Sequence, residues 1–477
     1  MEALEALAYA VKLRATLRTR AAEVETEWAY YRGEHPLAYA SDEWSQAHRE
    51  RYRGFSDNWC GVVGSAPAQR LEVRGFQIAP GEATDWDKKL WRDWEVNDGP
   101  ALSAQGFLAS TIAKRSFASV WGTSDDEPTL AWESPAEMIV DYDAETRVEK
   151  AAVKCWSDDK TEYLTLYLPD AVWKWSRPSS QDALKPRKNQ SAFMADANDL
   201  RQWEPRQAAA DDTWPIENPL GVVPITEYPN RPMLGGQPMS DIDATISMQN
   251  AVNLLWAYLF VAADYASMPA RVVLGQEPPV VPKLNERGEK VGDIPVDQES
   301  LKKGRMLWFT GQATKIDQWS ASTLDVFTDV VNVAVRHIAT QTSTPIYLIH
   351  GEMGNINGET LAGLDAPLVS KVGWAQKFYQ RSVRRTFGLM ALARGENAVY
   401  EASRAGIVDW ADPATHSPAQ LSDAALKSRQ LGLPLSEILR RYYDYTEPEI
   451  ERIAAEVQAE QSDPYLRQID AKSAAGV

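Results

Sequence analysis

Two long helical segments, separated by a small β-rich segment, constrain the fold of this chain most strongly. They are predicted over residues 240–268 and 322–342. Each begins with a serine followed three residues later by an aspartate, a pattern typical of helix N-termini. The first ends before Pro269 and the second at the sequence TSTP. At 1.5 Å per residue the first helix is about 43 Å long, which exceeds the diameter of a small domain.

The two helices differ in how their apolar side chains are distributed. Apolar residues cover most of the first helix and leave one narrow polar arc, so we expect it to be buried on several sides. In the second helix, residues at the 3-4 spacing of a packing seam are predicted to form a seam between subunits: Leu324, Phe327, Val331, Ala334 and Ile338. The opposite face of this helix is polar and is expected to meet water: Asp325, Asp329, Asn332 and Arg336.

The rest of the chain gives an α+β fold that is mainly helical. Residues 1–112 are read as mostly helix, and short alternating runs from Phe117 onward predict a β-meander. Residues 176–218 are mostly polar and contain several prolines, which indicates a long surface loop. Between the two long helices, the sequence VVPKLNERGEKVGDIPV predicts a hairpin. Residues 360–394 and most of 396–477 are read as helical again.

Composition excludes several classes of protein. The 477 residues carry a formal charge of -17, which argues against a general basic surface for nucleic acid. Two cysteines are too few for a disulfide framework or a zinc site, so we expect no metal and no cofactor. The most apolar run, AVNLLWAYLFVAA, has 13 residues, whereas a membrane span needs about 20. We therefore predict a buried helix and no membrane contact.

One local charge pattern departs from the acidic average. Residues 367–394 contain no aspartate or glutamate, and four cations recur at helical spacing: Lys377, Arg381, Arg384 and Arg385. This basic face fits contact with DNA phosphates, and it also fits pairing with an acidic surface on another subunit. The sequence leaves both interpretations open.

The glycine-rich stretch YLIHGEMGNINGETLAG, residues 347–363, does not fit a phosphate-binding loop. A Walker loop needs a lysine directly after its second glycine, but Gly358 is followed by Glu359, whose carboxylate repels phosphate. The histidines lack metal-site spacing, and no G-x-S-x-G is present. Asp241 and Asp243 fit a helix start better than a metal pair, and His337 fits a packed or hydrogen-bonded histidine. The 18 tryptophans fit core packing better than base stacking.

The order of these parts resembles the portal proteins of tailed bacteriophages, the siphovirus type especially. The resemblance is carried by the succession of helix, β-rich insert, helix, TSTP, glycine-asparagine loop and NGETLAGLDAPLVSKV. Other matching stretches run along nearly the whole chain: YYRGEHPLAYAS, FSDNWCGVVGSAPAQRLEVRGF, NPLGVVPITEYPNRP and LPLSEILRRYYDYTEPEIERI.

The resemblance implies a ring, usually of twelve copies, at one vertex of the capsid. Its channel passes double-stranded DNA during packaging and ejection, and it docks the large terminase subunit, a head-tail adaptor, the major capsid protein and scaffold. The implied location is the virion, after assembly in the host cytoplasm. The implied regions are a wing (1–239), stem helix 1 (240–268), a clip (269–321), stem helix 2 (322–345), a tunnel loop (346–359), a long wing helix (360–395) and a crown (396–477).

By the same resemblance, the glycine-rich stretch is the loop that lines the channel: Gly351, Glu352, Gly354, Asn355, Asn357 and Gly358. Glycines permit backbone conformations closed to other residues, which suits a loop that shifts as DNA passes. The polar face of the second long helix then faces the channel. The alternative is a cytosolic hydrolase or transferase with a site of scattered residues such as His350, Glu352 and Asp365.

Overall fold

The structure is a computed structural model. It describes residues 1–35, 37, 56–79, 84–122, 127–179, 200, 202–207, 213–267, 271–274, 280–285, 287–295, 306–309, 315–318, 324–351, 358–414, 416, 418–443, 445 and 447–462. These fall into two compact units. Unit 1 comprises Met1–His35, Asn58–Ile246 and Ala339–Val477, and unit 2 comprises Pro36–Asp57 and Ser247–Ile338.

The helices and strands occur in separate runs along the chain, as in an α+β protein. The described helices are α1 (Ala3–Arg32), α2 (Trp59–Ala68), α3 (Asp85–Val96), α4 (Gly99–Ala113), α5 (Asp243–Ser267), α6 (Asp325–Thr342), α7 (Ile346–His350), α8 (Gly358–Ala393), α9 (Asn397–Ser403), α10 (Pro418–Gln430), α11 (Leu435–Tyr443) and α12 (Glu447–Ser462).

The described strands form five small sheets. They are β1 (Val73–Gln77), β2 (Arg115–Gly122), β3 (Pro128–Glu133), β4 (Met138–Tyr142), β5 (Glu149–Ser157), β6 (Thr161–Tyr167), β7 (Ala171–Pro178), β8 (Glu204–Pro205), β9 (Ile216–Glu217), β10 (Ile225–Pro229), β11 (Arg271–Leu274), β12 (Val280–Leu284), β13 (Lys290–Pro295), β14 (Met306–Phe309), β15 (Lys315–Gln318) and β16 (Ile407–Trp410).

Unit 1 has a helical core built around α8. Leu368, Val372, Tyr379, Val383 and Phe387 recur along one side of this helix and are fully buried. They share a cluster with residues of α3, α4 and the sheet β10-β2-β3. Tryptophans complete the cluster, as predicted: Trp94 is fully buried, and Trp86 and Trp91 pack against the cluster. The 3-4 spacing of large apolar side chains is what fixes α8 inside this unit.

A second core of unit 1 lies between α1 and the antiparallel sheet β4-β5-β6-β7-β8, with β9 paired to β7. Inward-facing residues of the strands alternate with outward ones, and α1 covers the inward face with Ala6, Ala10 and Leu17. The predicted meander is therefore divided between two sheets, because β2 pairs with β3 on one side and with β10 on the other. Strands β8 and β9 lie within the segment predicted to be a long loop.

Unit 2 contains most of α5, the sheet β14-β11-β15 and the hairpin β12-β13. The predicted hairpin is confirmed: its turn closes with a hydrogen bond from the Gly288 amide to the Asn285 carbonyl, at 2.9 Å. Gly288 has φ of 78°, a left-handed conformation that favours glycine at this position. The α6 helix continues the unit up to Ile338.

The polar arc of α5 lies on the buried side of the helix, which the sequence did not predict. The Asn253 side-chain oxygen accepts from the Asp57 amide at 3.0 Å, and its amide group donates to Ser56 at 3.3 Å. Trp256 donates to the Asp57 carboxylate at 2.9 Å. Because these groups bind a segment of their own unit, apolar residues such as Tyr258 and Phe260 remain exposed. By length and composition, the stretch Asp243–Ala263 would also pass as a membrane span, a test that core helices of soluble proteins pass too.

Candidate functional site

The α6 helix has three faces, where the sequence predicted two. The residues predicted to form the subunit seam are already covered by their own chain: Val331, Ala334 and Ile338 are 4%, 8% and 1% exposed. Leu324 and Phe327 are half-buried on the same side. The seam prediction is therefore wrong for Val331, Ala334 and Ile338, since side chains buried within one chain are not available to a second chain. For Leu324 and Phe327 it stays a prediction.

The polar face of α6 is exposed along its length, as expected. Asp325, Asp329, Asn332 and Arg336 all lie at the surface of the described chain. Two carboxylates and one guanidinium leave this face with a net charge of -1. A face with this charge gives a DNA backbone little to bind, because its phosphates are themselves negative.

Sequence reasoning missed the third face, a stripe of exposed valines. Val326, Val330 and Val333 are 60%, 48% and 48% exposed, and their spacing of four and three residues places them on one side of α6. The sequence signal for this face is the helical spacing of these three valines, which places them beside the predicted seam residues on the helix surface. His337 also lies on the exposed side of α6 and is not packed within its own chain.

The glycine-rich stretch lies between two well-described helices. Gly351 caps the C-terminus of α7 with φ of 66°, a left-handed conformation that a residue with a side chain rarely adopts. Gly358 begins α8. Glu352, Gly354, Asn355 and Asn357 lie outside the described residues.

Both helices that flank this stretch are anchored through Asp365. The Tyr347 hydroxyl donates to one oxygen of the Asp365 carboxylate at 2.5 Å, and Arg70 donates to the other at 3.3 Å. Asp365 is 2% exposed. Burial and the neighbouring carboxylate raise the pKa of Tyr347. Arg70 also donates to the Pro413 carbonyl at 3.2 Å, so one guanidinium connects α8 to the segment before α10.

The predicted basic face of α8 is only half available. Lys377 and Arg381 are exposed. Arg384 donates to the Gly406 carbonyl at 2.6 Å, and Arg385 donates to the Val223 carbonyl at 2.9 Å. Arg385 also pairs with the buried Glu149 at 3.2 Å. Arg384 and Arg385 therefore stabilise the fold of unit 1, and the four-residue basic face is corrected to two residues.

An exposed tryptophan lies beside the two remaining cations. Trp374 is 58% exposed, and the Lys377 ammonium lies 5.3 Å from its ring centre. Together with Met233, Ala375 and Phe378, Trp374 lines a cavity of about 390 Å³ at the surface of unit 1. The charged residues of the same lining are of both signs, Arg231 and Lys371 with Asp241 and Asp243. A mainly apolar cleft with balanced charges is better suited to a protein surface than to DNA phosphates.

Comparison of the sequence with known proteins identifies its family. The chain matches the family described as "Phage portal protein, SPP1 Gp6-like" over residues 12–463. The chain belongs to the phage portal protein family. It is 24% identical over 378 residues to the portal protein of Mycobacterium phage L5, covering 76% of this chain and 69% of the relative. It is 23% identical over 378 residues to the portal protein of Mycobacterium phage D29, covering 76% and 70%.

Family membership makes this portal chain a structural component of a phage virion, associated with the capsid and with DNA packaging. Portal proteins are structural rather than enzymatic. The scattered-residue hydrolase has no support in the geometry either, because Asp365 is enclosed by Tyr347 and Arg70. The His350 side chain and Glu352 lie outside the described residues.

The Asp241 and Asp243 pair is accounted for by the start of α5. The Asp243 carboxylate accepts from the Ser240 amide at 3.1 Å, which is the predicted reach back to the helix start. Asp241 is buried between Lys371 and Arg231, at 3.3 and 3.4 Å. Burial lowers the pKa of Lys371, and the nearby Asp241 opposes that effect. Among the described residues, no group of histidines, cysteines and carboxylates is arranged to hold a metal ion.

Proposed function

We propose that this portal chain assembles into a ring of twelve copies at one capsid vertex and forms the channel for double-stranded DNA during packaging and ejection. The ring docks the large terminase subunit and the head-tail adaptor and is incorporated with the major capsid protein and scaffold. It assembles in the host cytoplasm and remains in the virion. The single observation that carries the proposal is the three-faced α6 helix, with one exposed face apolar and the other polar.

The three faces of α6 suit a stem helix in a closed ring. The buried face holds the helix to its own chain, the valine stripe (Val326, Val330 and Val333) packs on a neighbouring copy, and the polar face lines the channel. Each ring interface joins two different surfaces of the same chain. The acidic balance of the polar face keeps contact with DNA weak, so that DNA slides rather than binds.

The remaining regions follow the predicted order. Residues 1–239 form the wing, 240–268 and 322–345 the stem, 269–321 the clip, 346–359 the tunnel loop, 360–395 the long wing helix and 396–477 the crown. Helices α5, α6 and α8 lie within these ranges or begin within two residues of them. For Glu352, Gly354, Asn355 and Asn357, the role in the tunnel loop rests on the sequence.

Electron microscopy of the purified full chain at high concentration tests the function. We expect rings of several hundred kilodaltons with a central hole, and no turnover of hydrolase substrates. Proheads containing the ring are expected to protect double-stranded DNA from nuclease when the phage packaging motor is added. A chain that stays monomeric to tetrameric under all assembly conditions contradicts the proposal.

The exposed cations Lys377 and Arg381 are proposed to contact a neighbouring subunit, because Lys377 adjoins the exposed Trp374 and Arg381 lies one turn further along the same helix. Replacing Lys377 with glutamate is expected to lower ring yield several-fold at low salt, and the difference from wild type should shrink at high salt. Native mass spectrometry across a salt series measures this yield. Lys160→Glu, at an exposed turn between β5 and β6, is the control and should assemble normally. Normal ring yield with reduced DNA packaging in Lys377→Glu favours the DNA-contact interpretation instead.

A further inference from the structure

The helices that flank the glycine-rich stretch are joined to each other by side chains buried beneath them. Tyr347 lies on α7, four residues before Gly351, and Asp365 lies on α8, seven residues after Gly358. Their hydrogen bond of 2.5 Å spans 18 residues of chain. Arg70, which follows α2, holds the second carboxylate oxygen.

We infer that Tyr347, Asp365 and Arg70 form a base clamp that positions the tunnel loop, setting the separation of the two chain ends from which the loop extends. This inference rests on the proposed function of residues 346–359 as the loop that lines the channel. The clamp residues are positioning residues, since they hold one another on the described segments that flank residues 352–357.

The geometry explains why a carboxylate is required at position 365. Both neighbours of Asp365 are donors, a hydroxyl on one side and a guanidinium on the other, so each carboxylate oxygen has one partner. An asparagine keeps the shape but presents an amide N–H to one of these donors. Hydrogen bonds to a charged group are stronger than those to a neutral one, and a buried group left unpaired adds a desolvation cost.

The clamp also connects the loop to a distant part of the chain. Arg70 donates to the Pro413 carbonyl at 3.2 Å, and Pro413 precedes α10 in the proposed crown. A displacement of Asp365 therefore acts on Arg70, and through it on the segment that leads into the crown helices. The guanidinium suits this role because its planar fork holds two acceptors in fixed directions.

Amide hydrogen exchange on the full-length chain tests the clamp directly, because the contacts lie within one chain and the measurement needs neither ring formation nor packaging. In Asp365→Asn, amides of Tyr347–Gly351 and of the first two turns of α8 are expected to exchange about 10- to 100-fold faster, as the loss of one or two charge-assisted hydrogen bonds predicts. Amides in the middle of α8 should be unchanged. Tyr347→Phe should give a smaller increase in exchange rate at the same amides. In the double variant the free-energy change calculated from the exchange rates should be less than the sum of the two single changes.

A matched control separates positioning from general destabilisation. Asp93 and Arg394 form another buried pair, with two contacts of 2.6 Å, at the far end of α8. Asp93→Asn removes a comparable interaction, and we expect it to lower the melting temperature by a similar amount without faster exchange near the loop. DNA protected per particle should fall at least two-fold in Asp365→Asn and remain near wild type in Asp93→Asn.

Two results would overturn the clamp. One is unchanged exchange of the flanking amides in Asp365→Asn. The other is an equal loss of packaged DNA in Asp93→Asn at matched stability. Failure of the wild-type chain to form rings or to package DNA instead counts against the proposed function, because the exchange measurement on the clamp does not depend on packaging.

Discussion

Val330→Asp is expected to abolish ring assembly while leaving the single chain folded. Val330 is 48% exposed in the single chain, so an aspartate there is tolerated by the monomer. In a closed ring the same carboxylate is buried in every subunit interface, and an unpaired buried charge costs several kcal/mol each time. Because this cost recurs at each interface around the ring, we expect no detectable rings. Analytical ultracentrifugation and electron microscopy measure the loss, and circular dichroism checks the fold.

Two other substitutions on α6 serve as controls for its three faces. Asn332→Asp adds the same charge to the exposed polar face and should leave ring assembly intact. Val335→Asp places the charge on the face buried within the chain, where Val335 is 1% exposed, and should destabilise the chain itself. Normal rings from Val330→Asp, or loss of rings from Asn332→Asp, would mean that the channel and interface faces are assigned wrongly.

Glu162→Gln is expected to give the largest loss of folding stability. Glu162 is buried between two buried arginines: Arg14 donates to one oxygen at 2.9 Å and Arg177 to the other at 2.8 Å. The Trp203 ring lies beside both guanidinium groups, 5.4 and 4.4 Å from their central carbons. Removing the carboxylate leaves two buried cations without a counter-charge, which costs about 3–5 kcal/mol. Urea unfolding measures this loss.

The destabilisation should depend on pH. Burial alone would raise the pKa of Glu162, but Arg14 and Arg177 outweigh that effect and hold the pKa below its ordinary value. A lowered folded-state pKa means that the stabilisation is complete above the unfolded pKa of about 4.3 and is lost as the pH falls through the folded pKa. The gap between wild type and Glu162→Gln should therefore be constant near neutral pH and narrow below about pH 4.

An exposed ion pair provides the control for this experiment. Glu401 and Arg404 lie 2.9 Å apart, and both side chains are mostly exposed on α9. Glu401→Gln is expected to leave the urea midpoint unchanged, since water screens such a pair. An equal loss of stability in Glu401→Gln and Glu162→Gln would contradict the role given to burial.

The positions of the long helices could be predicted because their ends are encoded locally. The segment predicted from 240 to 268 forms α5 over Asp243–Ser267, and the segment predicted from 322 to 342 forms α6 over Asp325–Thr342. Capping residues, proline and the TSTP sequence act within one helical turn, so they can be recognised without knowledge of the fold. The same holds for the hairpin at Asn285 and Gly288.

Contacts between distant parts of the chain could not be predicted in this way. Strand β16 pairs with β1, which lies more than 300 residues away in the sequence. Neither strand contains a local sequence pattern from which its partner could be identified. Helical spacing predicts that Arg384 and Arg385 belong to one basic face. In the structure these two side chains donate to the carbonyls of Gly406 and Val223. Helical spacing shows which side chains share a face but not what that face meets.

Residue order and short-range interactions are enough to predict the long helices, their approximate ends, the acidic balance and the family resemblance. Which face of each helix is covered depends on the folded chain. It buried Val331 and Ile338 and left Val326 and Val330 exposed, although all four are apolar residues of one helix. The physical reason is that burial depends on which distant segment supplies the covering surface, and that partner is chosen by the fold as a whole.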